Sequence, residues 1–316
     1  MKLFLIFAFL LSSLLATTIK EPIAHFVASG SVVDMLYKDG KLYCATDASS
    51  VDIFDFETKK LINKIEVKKI LDFMGETIDS KVYSVDAIED KILLLSQDKN
   101  GFRRVHIYQN GVLRVLFDYS KGLTVAKAKF LDANTLLLAL LSNELISYDI
   151  AKNSQNYSIQ VSGAKFSDFV LNEERSEVVV ADESGNLKIH STKDGLFLKL
   201  LADQNLDNVF QVDYKKGIIA TAGQDRRMVI YAPKFNSAYY SESKFLIYSV
   251  GLSPSGKIVG YASDENNNVT LQNTITKANL GKFGGNKMTL SKILFISEND
   301  FLVGSDDKVV NQYSIK

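Results

Sequence analysis

Three histidines, one cysteine and a recurring set of aspartates are the residues of this chain whose types could support chemistry. His25, His106 and His190 are far apart in sequence and fall in different expected strands. A metal site needs ligands converging within about 2.0–2.3 Å, and nothing in this spacing suggests convergence. Cys44 lies among Leu42, Tyr43 and Ala45. A lone cysteine in such surroundings is a buried apolar filler or a free thiol, and its neighbours favour the filler. Asp47, Asp98, Asp182, Asp225, Asp264 and Asp306 recur beside small and amide residues. Aspartate in such places bonds backbone donors, so these read as turn-stabilising rather than as a charged channel. Glu173, Glu174 and Arg175 read as a solvent-facing turn. There is no CxxCH, GxSxG, phosphate-loop or HExxH pattern. The sequence therefore leads us to expect no catalytic residue, no metal and no cofactor.

The elements that must position these residues repeat. Phe54, Tyr108, Tyr148, His190, Tyr231, Gln272 and Tyr313 each close an apolar-x-apolar strand, at spacings of 54, 40, 42, 41, 41 and 41 residues. A period of about 40–45 with several short strands per unit marks a propeller blade. The clearest unit is DYKKGIIATAGQDRRMVIY at 213–231. One such sheet cannot cover both its faces, so the units must stack radially. The expected fold is all-β, a seven-bladed propeller. Its last unit shows only three strands before Lys316, and residues 22–28 can supply the fourth and close the ring.

One repeat departs from the period. The link KKILDFMGETIDSKVYSVDAI (68–88) and the turn SQDKNGFRRV (96–105) lengthen the second unit. Links between blades and turns between second and third strands project from the same rim, where insertions often mark a binding face. Phe73, Met74, Glu76, Asp79, Lys81 and Tyr83 of the link, with Arg103 and Arg104 of the turn, are the candidate partner-binding residues. Aromatic and arginine side chains are enriched in interface hot spots, and methionine suits an adaptable contact. The alternative is that Phe73 and Met74 tuck under the loop as a small core while the charges stay solvated.

Lys2 followed by LFLIFAFLLSSLLA (3–16) has the form of a secretory signal peptide, with cleavage expected after Ala16. Its apolar run is short of the ~20 residues needed to span a bilayer. Residues 1–16 thus read as signal and 17–316 as one propeller, exported to the periplasm, monomeric and with no stable membrane insertion after cleavage. Lys+Arg (37) equals Asp+Glu (37), so there is no basic field for nucleic acid.

TDASSVDIFD (46–55) is similar to the repeats of the WD-repeat β-propellers, and the likeness extends over nearly the whole exported chain. The Gly-His pair usual in intracellular members is absent, and there is no tryptophan, with Phe and Tyr ending the third strands. With the leader and FMGETIDSKVYSVD (73–86), the chain resembles the NapL-like family of WD-repeat periplasmic accessory proteins encoded with some periplasmic nitrate reductases. The resemblance implies a non-catalytic role in assembly, maturation or electron supply of that system, with a periplasmic redox enzyme or its electron-transfer partner as the protein bound. It brings no functional residues with it. Other classes open to such a fold are a hydrolase or lactonase with a channel active site and an envelope protein-assembly factor.

Overall fold

Short runs of alternating apolar and polar residues, cut by turns rich in Gly, Asn and Asp, can form only strands and tight connections. The computed structural model describes residues 18–316. It contains seven antiparallel four-stranded sheets arranged in a ring, one sheet carrying an added fifth strand. This is the expected seven-bladed propeller. The innermost strands of blades one to seven are Val32–Lys38, Val82–Ile88, Val125–Asp132, Phe166–Leu171, Val209–Lys215, Val250–Leu252 and Leu290–Phe295. Each blade then runs outward through consecutive hairpins. Asp39 and Gly40, with φ of 50° and 70°, form the left-handed two-residue turn that the Asp-Gly pair favours.

The ring closes as the sequence suggests. Ala24–Val27 pairs antiparallel with the last long strand, Asp307–Ser314, setting His25 opposite Asn311. A second clasp was not anticipated. Ile19–Lys20 pairs parallel with Asn279–Phe283, the outer strand of blade six. Residues 18–28 thus bind two blades in succession. The expected signal segment and its cleavage point lie outside the described residues.

The marker residues at the end of each third strand occupy one equivalent register. Phe54 faces Leu42, Tyr148 faces Leu136, Tyr231 faces Ile219 and Tyr313 faces Phe301. The core is correspondingly divided into apolar clusters between neighbouring blades. The cluster between blades seven and one joins Phe26 to Val32, Leu42, Cys44, Phe54, Leu302 and Val310. Cys44 is fully buried there, and burial, with Asp52 and Asp34 nearby, pushes its thiol well above the usual range. It is a filler.

Candidate functional site

The two blade-two insertions form distinct structures. In the link, Ile70–Leu71 pairs with Thr77–Ile78 to make a small hairpin that stands off the ring. Its tip is set by Asp72, whose carboxylate accepts the backbone N–H groups of Met74 and Glu76, and by Gly75 at φ 84°. A side chain at that φ would be strained. The stem is clamped on both sides. Asp79 takes Lys69 at 3.0 Å and the Ser49 hydroxyl at 2.8 Å, tying one leg to blade one. Arg104 donates to the Lys68 carbonyl at 2.9 Å and pairs with buried Asp98 at 2.7 Å, tying the other leg to blade two.

The tip itself touches little. Phe73 is 96% exposed and Met74 73%, with Leu71 and Ile78 exposed beside them. Phe73 and Met74 do not tuck beneath the loop. Phe73, Met74 and Glu76 therefore stand together, while Asp79 and Arg104 act as struts beneath them.

Lys81, Tyr83 and Arg103 belong to a separate group at the mouth of the central channel. The Arg103 guanidinium lies 3.8 Å from the centre of the Tyr83 ring, and its Nη1 donates to the carbonyls of Val125 and Ala126. Lys81 approaches the same ring at 5.8 Å. The eight rim candidates thus divide into a tip, its struts and a channel-mouth cluster.

Below that mouth the inner strands carry charges that reading the turns alone did not single out. The inner strand of every blade is a sheet edge, and its free N–H groups need acceptors. Aspartates supply them across the blade boundaries. Asp34 accepts from Val85, Asp86 from Phe130, Asp168 from Val212 and Asp213 from Leu252, at 2.8–3.2 Å. Lysines from the other blades balance them. Lys127 pairs with Asp168 at 2.5 Å, while Lys129 and Lys292 flank the two oxygens of Asp34 at 3.7 and 3.6 Å. Burial alone would raise the Asp34 pKa, but Lys129, Lys292, Lys127 and the Val85 N–H outweigh it and hold the carboxyl below its usual range. Burial would likewise depress Lys292, yet Asp34, Asp168 and Asp213 together raise it.

A charged channel is therefore present beside the turn aspartates, in addition to their own role. Asp182 accepts from Ser184 N, Asp225 from Arg227 N and Asp264 from Asn266 N, as turn chemistry requires, whereas Asp47 accepts from Ser31 N, 16 residues away. The expectation for Arg175 needs correction. It turns inward from its loop to bind Asp86 at 2.9 Å and the Phe130 carbonyl. The signal for the channel charges was a polar residue at matching depth in otherwise apolar first strands, as at Asp34, Lys127, Asp168 and Lys292, with Asp86, Lys129 and Asp213 matching one another two positions further along.

The histidines stay apart. His25 bonds Asn311, His106 bonds Ser96 and His190 bonds the Gly195 carbonyl. Among the described residues no group of three or more His, Cys, Asp or Glu is placed to hold a metal ion.

Fold and surface together define a β-propeller with an enlarged rim on one blade and a charged axial channel. No protein-family model matches this chain, and no curated protein matches it.

Proposed function

We propose that this protein is a non-catalytic interaction scaffold of the periplasm that docks a redox enzyme, or its electron-transfer partner, through the blade-two hairpin. The observation that carries this reading is the exposed Phe73–Met74 tip held on a clamped stem. A large aromatic and a methionine held clear of the ring present apolar area that only a partner would cover. A stem fixed by Asp79 and Arg104 lowers the cost of ordering the tip on binding. A non-catalytic role is supported by the three histidines lying in three separate blades, each bonded to a neighbour within its own blade. The identity of the partner rests on the resemblance to nitrate reductase accessory proteins.

Tagged protein recovered from the periplasm should carry a subunit of the nitrate reductase system. The pair Phe73→Ser, Met74→Ser should lower that recovery about ten-fold or more, with thermal stability unchanged because neither side chain is packed. Recovery undiminished by the double substitution would remove the hairpin from the interface. Recovery of no reductase component by either protein would remove the partner.

A further inference from the structure

We propose that the upper chamber of the channel is a binding site for a small monoanionic carboxylate with a compact aromatic or apolar body. The chamber encloses about 270 Å³, and a second of about 360 Å³ lies below it. Lys127 and Lys292 line both, so they form the waist between them. A volume of this size is just under the range of ligand pockets, about 300–1,000 Å³, and suits a small molecule.

The charges around the upper chamber do not cancel. Among the residues that line it, Arg103, Lys127 and Lys292 outnumber Asp34 and Asp168 by one positive charge, while Asp213 and Lys129 act from the chamber below. The pKa of Lys292 is raised and that of Asp34 lowered by their neighbours, while burial lowers that of Lys127 against the pull of Asp168. Hydrogen bonding is incomplete in the same place. An ammonium offers three donors, yet among the described residues Lys292 is held only by its ion pair to Asp34 Oδ1, at 3.6 Å beyond a close hydrogen bond. Its side chain is 26% exposed, so the ammonium is reachable by a group entering the chamber. At the mouth, only Nη1 of Arg103 has hydrogen-bond partners among the described residues. Free donors at floor and mouth, with one unbalanced charge, call for one anionic group.

The walls select its body. Val33, Tyr83, Phe166 and Phe210 line the chamber, and Phe210 is braced by Tyr248 stacked at 5.4 Å. Such walls favour a flat apolar body over a compact, strongly hydrated dianion such as phosphate.

Isothermal titration of the full exported chain in low-chloride buffer, with benzoate, acetate and inorganic phosphate as probes, tests this. Benzoate should bind saturably at one site, at least ten-fold more tightly than acetate or phosphate. Lys292→Met, which retains the length of the stem without the charge, should weaken benzoate about ten-fold or more. Phe210→Ala should narrow the gap between benzoate and acetate. The hairpin double substitution should leave benzoate binding unchanged, which separates this site from the docking surface. Absence of saturable benzoate binding, phosphate binding more tightly than benzoate, or full benzoate affinity in Lys292→Met would each overturn the proposal. Should Lys292→Met fail to fold, an unaltered benzoate-to-acetate ratio in Phe210→Ala would overturn it.

Discussion

His106 shows how one residue can set the response of this propeller to acid. It sits in the strand Arg103–Gln109, 1% exposed, with Nε2 2.8 Å from the Ser96 hydroxyl and no partner for Nδ1. Burial, followed by the charge of Arg104, lowers its pKa to about 4 against the opposing pull of Asp98. In the unfolded chain the ring would protonate near its ordinary value of about 6.5. Between these two values the unfolded state binds the extra proton. Stability must therefore fall as pH drops from about 6.5 toward about 4, by up to about 3 kcal/mol across the whole window. Asp34, Asp79 and Asp264 are lowered from 3.8, so their losses come at more acid pH. Urea midpoints measured between pH 6.5 and 5 should decline in the native protein. His106→Gln, which retains a hydrogen-bonding group for Ser96 without the titration, should flatten that decline. An equal slope in both proteins would show that the proton goes elsewhere.

At the scale of elements, the inner strands decide which polar residues are indispensable. Each inner strand is left with an unpaired edge by the ring geometry, and in blades two, three, five and six an aspartate of the preceding blade accepts one of its N–H groups. Asp86 does this for Phe130 while also neutralising Arg175, which reaches it from the first turn of blade four. Removing one member of a largely buried pair leaves the other charge without compensation. Arg175→Met should cost about 3 kcal/mol, and Asp86→Asn less, because the amide retains an acceptor for the Phe130 N–H. In a double-substitution cycle read by urea denaturation the two should couple by about 0.5–3 kcal/mol, and strict additivity would mean that the contact contributes nothing. These charges also mark the limit of what the sequence made legible. The blade count and strand order were readable because every unit repeats one register, from Phe54 opposite Leu42 to Tyr313 opposite Phe301. The hairpin's position was readable as a break in that period. The channel was not, because alternation along a strand separates two faces, and both faces of an inner strand abut other blades. Only closure of the ring brings Lys292 beside Asp34, although the two lie at opposite ends of the chain. Arg104 escaped as a strut for a related reason. Its acceptors are Asp98 and the Lys68 carbonyl, and only folding places the latter within reach.

For the whole molecule, the decisive join is the one between its two ends. A ring of sheets differs from an open stack of repeats in having no terminal unit that needs a cap. Here that condition is met by residues 18–28, which cover the outer edges of blades six and seven. Most of the stabilisation should come from one side chain. Phe26 is fully buried, lies edge-on to Phe54 at 5.6 Å, and shares a cluster with residues of both blade one and blade seven. Ile23, three residues earlier, is 61% exposed. Phe26→Ala should therefore destabilise the protein by about 3–5 kcal/mol, while Ile23→Ala should change it by less than about 0.5 kcal/mol. Removal of residues 18–28 should go further, exposing the edge of Asp307–Ser314 and promoting association between molecules. Since the chain has no tryptophan, far-ultraviolet circular dichroism is the suitable probe of unfolding, with light scattering to follow association. If Phe26→Ala unfolds at the native midpoint, and the shortened chain scatters no more light than the native one with unchanged stability, the ring is held shut by the blade-to-blade clusters alone and the terminal strand is only a decoration on it.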